Sequence, residues 1–106
     1  MLRPETKTRA RALQLLYAWE LHGRPPMHAV AEPVLRRYPQ CRSVLGRAES
    51  LASAVASDVA HLDQDIADAA ENWRLERIGA VERSILRLGV YELSKAEVPP
   101  RVAINE

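Results

Sequence analysis

An all-α fold, a small orthogonal helical bundle, is what this sequence predicts, and three observations predict it. Apolar residues recur at spacings of three and four over long stretches, the period of a helix with one buried face. No stretch sustains the alternation of a half-buried strand. Leucine, alanine and valine dominate the apolar set and phenylalanine is missing from it, a choice that suits helices over sheets. The 106 residues are enough for one small domain.

Residues 5–22 predict a first helix. Leu13, Leu16 and Tyr17 fall at helical spacing, and Leu21 extends that face. Gly23-Arg24-Pro25-Pro26 ends it, with glycine just past the last turn and prolines after it. Tyr17 and Trp19, two residues apart, cannot both face a core squarely, so one packs inside and the other is a contact surface. Residues 27–37 predict a shorter helix with Val30, Val34 and Leu35 inward; Pro33 either begins it or kinks it. Tyr38 to Ser43, which contains Pro39, reads as a loop.

A single long helix is predicted from Val44 to Ala70. Leu45, Leu51, Ala52, Val55, Val59, Leu62 and Ile66 line one side, and Asp58, Asp63, Asp65 and Asp68 fall on or beside the outer face. Asn72 marks a break, residues 75–80 a short helix, and residues 81–95 a strongly apolar one. In the last, Val81, Ile85, Leu88, Gly89 and Leu93 keep the helical spacing, widened by Leu86 and Val90. Arg87 lies between Leu86 and Leu88. Its expected role is structural: the methylene stem covers the core and the guanidinium reaches a carboxylate or a carbonyl. Pro99 to Glu106 reads as the first turn of a further helix that stops at Glu106. The chain is therefore expected to be one helical domain, residues 1–106, whose last helices are missing.

The formal net charge of +1 conceals a gradient. Residues 1–24 carry +3, residues 25–48 carry +3, residues 49–72 carry −6 and residues 73–106 carry +1. A basic front half beside an acidic segment suggests two different surfaces. The single Cys41 suits a reducing compartment, the basic N-terminus has no signal-peptide core, and no apolar run is long enough to span a bilayer. A cytoplasmic protein without a membrane partner is the simplest reading.

Catalysis finds little support. His22, His28 and His61 have no metal-ligand spacing with Cys41, Ser50, Ser53 and Ser57 have no strand–turn–helix elbow, and there is no glycine-rich phosphate loop. Asp63 and Asp65 stand two apart on a helix and diverge, so they read as a solvated face. No catalytic residue, metal site or cofactor is expected.

The first helix carries the clearest binding signal. Arg3, Lys7 and Arg11 are spaced by four and Gln14 continues the row, with Arg9 on the flank. Such a stripe either is a solvated face or tracks phosphates, with Gln14 able to read a base edge and the guanidinium groups able to stack on unpaired bases. Basic groups near a helix start oppose the macrodipole, and Glu5 offsets only part of that cost.

Two blocks make the chain similar to the NusB family of bacterial transcription antitermination factors. The first is Thr8-Arg9-Ala10-Arg11-Ala12-Leu13-Gln14-Leu15-Leu16-Tyr17-Ala18-Trp19-Glu20. The second runs from Asn72-Trp73-Arg74-Leu75-Glu76-Arg77 through Val81-Glu82-Arg83-Ser84-Ile85-Leu86-Arg87-Leu88-Gly89-Val90-Tyr91-Glu92-Leu93 and closes with Val98 to Glu106. The resemblance implies an all-helical fold and no catalysis. It implies binding of boxA, a short single-stranded RNA element of ribosomal RNA leaders, together with NusE, a small-subunit ribosomal protein. Other Nus factors and RNA polymerase would complete the assembly, which promotes processive transcription.

The family's RNA surface maps to Lys7 and Arg9, with Arg3 and Arg11 nearby. Its NusE-facing surface maps to Tyr17, Glu82 and Glu76. Thr6 and Thr8 stand where basic residues or alanine are common in the family, which thins the cluster, and Arg11 stands where an apolar residue is common. Two alternatives accompany this reading: the NusB-like first module of an RNA cytosine methyltransferase, and a protein-interaction bundle with no RNA role. A second copy of the chain is a further candidate partner, because family members continue past Asn105-Glu106 with helices that would cover Val81, Ile85, Leu88 and Val102.

Overall fold

A computed structural model describes residues 4–70 and 74–96. The fold is all-α. Five helices form within those residues: α1 Pro4–Leu21, α2 Met27–Arg37, α3 Arg42–Ser57, α4 Val59–Ala69 and α5 Ala80–Lys95. Short 3-10 turns at Pro39–Cys41 and Leu75–Arg77 join them. Arg3, Asn72 and the helix start expected at Pro99 to Glu106 lie outside the described residues. The chain divides into two compact units between Ala54 and Val55, within α3.

In the first unit α1 packs on α2. The buried face of α1 is Ala12, Leu15, Leu16 and Trp19, shifted from the expected Leu13–Leu16–Tyr17 row. Apolar residues wrap much of this helix, so spacing alone admits two faces. Centring the buried side on Leu13 and Tyr17 would draw Arg9 toward the interior. The observed face keeps Arg9 exposed and buries Ala12 completely. Trp19 is the packed aromatic and Tyr17 the exposed one, at 7% and 38% exposure. Leu21, expected to extend the buried face, is exposed.

The end of α1 follows from the Gly23-Arg24 pair. The Gly23 N–H donates to Glu20 O and the Arg24 N–H to Trp19 O, at 3.4 and 2.8 Å. This is the Schellman arrangement, which satisfies carbonyls the helix leaves orphaned. It needs positive φ, and Gly23 sits at 81° with Arg24 at 63°. The Arg24 guanidinium lies 4.9 Å from the Trp19 ring centroid and donates to both Glu20 oxygens, at 3.2 and 3.3 Å. A Cβ on Gly23 would meet open space, so the expected cost of Gly23→Ala is backbone strain alone, about 1 kcal/mol in chemical denaturation.

α2 is continuous through Pro33. The N–H that proline lacks would have bonded to Ala29 O, and Ala29 is exposed, so water can take that bond. Met27, Val30 and Ala31 are its buried residues, while Val34 and Leu35 are half-buried. The expected loop at Tyr38 to Ser43 is a 3-10 turn, and α3 already begins at Arg42.

The single helix expected over 44–70 is two. Asp58 leaves helical geometry at φ −110° and ψ 14° and becomes the N-cap residue of α4. Its N–H still donates to Val55 O and its carbonyl accepts from the Leu62 N–H. Serine and aspartate at 57–58 favour a helix boundary over a helix interior. The apolar rows of α3 and α4 happen to continue in phase across the break, which hides it from a periodicity argument. Leu45, Ala48, Ala52 and Val55 are buried on α3, and Leu62 and Ile66 on α4.

In the second unit α4 packs on α5. α5 buries Ser84, Arg87, Leu88 and Val90 and leaves Val81 and Ile85 about half exposed, at 48% and 51%. Arg87 plays its expected structural role, and its partner is Asp63. Nε donates to Oδ1 at 2.7 Å and Nη2 to Oδ2 at 2.9 Å, a two-pronged pair. Asp63, read as part of a solvated face, is therefore the counter-ion of a buried guanidinium. Ser84 Oγ donates to Ala80 O at 2.8 Å within its own helix, which satisfies a buried hydroxyl locally.

Candidate nucleic-acid interface

The stripe on α1 is where the sequence places it as far as the described residues reach. Lys7 and Gln14 are exposed and Arg11 is half-buried. Arg11 Nη1 donates to Gln14 Oε1 at 2.7 Å. That bond uses the amide oxygen and leaves the Gln14 NH2 group, with the remaining guanidinium N–H groups, as a cluster of donors. A donor-rich surface complements phosphate oxygens and base carbonyls. Arg9 is exposed, but two residues from both Lys7 and Arg11 it leaves the helix about 160° around from them. Its guanidinium reaches the stripe only by wrapping the helix. Arg3 lies outside the described residues.

The outward face of α1 changes character along its length. Lys7, Arg11 and Gln14 occupy the N-terminal half, and Tyr17 and Leu21, both exposed, occupy the last turns. One face thus offers cations and amide donors at one end and an apolar, aromatic surface at the other.

The other two candidate partner residues, Glu76 and Glu82, belong to the second unit and share one elbow. Glu76 lies in the Leu75–Arg77 turn and Glu82 in the first turn of α5. Both are exposed. Arg83 holds the elbow together: its Nη1 donates to Leu75 O at 3.3 Å and to Ile78 O at 2.5 Å. The Arg83 N–H donates to Gly79 O at 2.9 Å. Sequence reasoning missed this clamp, because an arginine that caps backbone carbonyls five and eight residues away has no local pattern.

A second group of arginines, Arg36, Arg37, Arg42 and Arg47, is exposed around the end of α2 and along α3. Arg36 pairs with Glu32 one turn earlier. Arg37 Nε donates to the Tyr38 hydroxyl at 3.3 Å. Both sit in the last turn of α2, where positive charge complements the helix dipole. Elsewhere the described residues contain no grouping of three or more His, Cys, Asp and Glu side chains suited to a metal ion. No helix among them is long and apolar enough to cross a membrane.

A donor-rich face on the first helix and two carboxylates on the elbow before α5 are the candidate contact surfaces of this helical chain, and comparison with known proteins says to which family it belongs. The NusB family model matches residues 6–106. Transcription antitermination protein NusB of Anaeromyxobacter sp. (strain Fw109-5) is 39% identical over 101 residues, covering 95% of this chain and 71% of the relative. The protein of the same name from Salinispora tropica is 40% identical over 101 residues, covering 94% and 74%. A third, from Oleidesulfovibrio alaskensis, is 63% identical over a shorter stretch of 46 residues, 42% of this chain and 30% of the relative. No solved structure matches the chain. The chain belongs to the NusB family. Its relatives are named as antitermination factors and not as enzymes.

Proposed function

We propose that the protein is an RNA-binding transcription antitermination factor. In this reading it binds boxA-type single-stranded RNA through Arg3, Lys7, Arg9, Arg11 and Gln14. It binds NusE through Tyr17, Glu76 and Glu82, and with other Nus factors and RNA polymerase it supports processive transcription of ribosomal RNA operons in the cytoplasm. Residues 1–106 belong to a single NusB-like helical domain. The observation that carries the reading is the donor cluster on α1, exposed Lys7 and Gln14 with half-buried Arg11, in a chain that the NusB model matches from residue 6 onward.

Single-stranded RNA suits this surface. A lone helix stripe with a side-chain amide can follow a flexible backbone and pair with exposed base edges, whereas the deep major groove of an RNA duplex is closed to it. The first unit carries the cations and donors of α1 together with Tyr17, and the second carries the carboxylates of the α5 elbow. The Glu76 and Glu82 carboxylates, set among Arg74, Arg77 and Arg83, would pair with cationic side chains of a protein partner.

The test is a titration of boxA RNA and of a scrambled strand of the same composition, each with NusE present. Tighter binding to boxA is expected. Neutralisation of about four phosphates would give a log–log salt slope near −3, from roughly −0.7 per contact on single strands. Equal affinity for the two strands would overturn the boxA reading, and binding to neither would leave a protein-interaction bundle.

A further inference from the structure

Gly79 precedes α5 as its N-cap residue, at φ −63° and ψ 156°. Any residue adopts that conformation, so backbone freedom does not explain a glycine there. Space does. A Cβ built on Gly79 would overlap Glu82 Oε2 and stand 3.3 Å from Glu82 Cδ. The Glu82 side chain is folded back over the helix start. As the third residue of α5 it has a reason to be there, because the unpaired N–H groups of the first turn attract a carboxylate.

We propose that Gly79 is a positioning residue for the partner surface. Having no side chain, it provides the space in which the Glu82 carboxylate lies over the start of α5, and so fixes how that carboxylate is presented to a basic partner. The inference rests on the reading of Glu82 as NusE-facing. The elbow backbone is held separately, by Arg83 on Leu75 O and Ile78 O, so a side chain at position 79 does not unfasten it. The overlap is with the far end of a flexible side chain. The easiest response to a methyl group there is for Glu82 to swing away while the helix stays in place.

Two substitutions separate this from a structural role. Gly79→Ala displaces the carboxylate. Gly79→Ser puts the same Cβ into that space, while its hydroxyl caps the first turn of α5 and so keeps the helix start stable. NusE affinity is measured by calorimetric titration for wild type, G79A, G79S, E82Q and the double variant G79A/E82Q, with thermal unfolding of each.

Both Gly79 variants are expected to bind NusE about three- to tenfold more weakly, the scale set by losing one pre-ordered side chain at an interface. G79S is expected to melt no lower than wild type, so stability and binding move independently. The double variant is expected to bind as E82Q does, because the two changes act on one carboxylate. Wild-type affinity in G79A and G79S beside a weakened E82Q overturns the positioning role and leaves the partner reading intact. An equal further loss on adding G79A to E82Q also overturns it, since the glycine then acts through something else. Wild-type affinity in E82Q removes the partner reading of Glu82 itself, and the positioning role with it.

Discussion

Asp63→Ala is expected to destabilise the protein by about 3 kcal/mol, because it takes the paired carboxylate away from a buried guanidinium. The Arg87 side chain is only 5% exposed, and Asp63 supplies both of its described hydrogen-bond acceptors, at 2.7 and 2.9 Å. Removing the carboxylate takes two charge-assisted hydrogen bonds from a guanidinium shielded from water. The expected loss sits at the lower end of the range for buried pairs because Asp63 keeps 29% exposure, which lets water reach the vacated space. For a small domain this lowers the melting temperature by roughly 15 °C. Asp65→Ala is the control. Its contact is His61 Nε2 at 3.8 Å, and the His61 side chain is 70% exposed, so its loss should stay within about 0.5 kcal/mol. Adding Arg87→Met to Asp63→Ala removes the buried charge and is expected to recover much of the stability, since an apolar residue of similar length replaces an ion pair at little net cost. Urea unfolding of the four proteins checks the set. A loss below about 1 kcal/mol for Asp63→Ala would mean that the remaining interactions of Arg87 hold it without the carboxylate.

This pair also shows where sequence reasoning stops. Arg87 announced itself, since a charge flanked by leucines in an apolar helix needs a partner. Its partner did not, because Asp63 stands 24 positions earlier among four aspartates of one helical segment, and periodicity cannot say which of them turns inward. The helices were legible in general, because their apolar rows are long and their ends carry glycine and proline. The break at Asp58 was not, because the rows on its two sides stay in phase. The buried face of α1 was misplaced by about one position for a similar reason: leucines and aromatics surround the helix, and the choice between faces is made by Ala12 and by the exclusion of Arg9. Lys7, Arg11 and Gln14 were legible as a stripe because spacings of four and three fix a common face. The hydrogen bond that makes Arg11 and Gln14 one donor cluster, and the space over Gly79 that receives Glu82, belong to side-chain conformation and leave no mark in spacing.

Replacing Lys7, Arg9 and Arg11 together with alanine is expected to weaken boxA RNA binding by about 50-fold at 0.15 M salt, if each neutralises one phosphate. The estimate follows from counterion release: each contact on a single strand contributes roughly 0.7 to the salt exponent, so three contacts lower the log–log slope by about 2. The slope is the more telling readout, because a variant that merely misfolds loses binding without a defined change in salt dependence. Alanine is a good helix former, and removing cations from the first turns of α1 relieves their opposition to the macrodipole, so helix content should hold or rise. Arg9→Ala alone tests the geometry. Arg9 leaves α1 about 160° from Lys7 and Arg11, so a slope change of about 0.7 would show that RNA wraps the helix or that the side chain does. No change would confine the surface to the Lys7–Arg11–Gln14 face. Gln14→Ala should act differently from all of these. An uncharged amide releases no counterion, so the slope should stay while the preference for boxA over scrambled RNA narrows. Loss of affinity without loss of preference from the three cations, and loss of preference without a slope change from Gln14, would separate phosphate tracking from base reading on a single helix face.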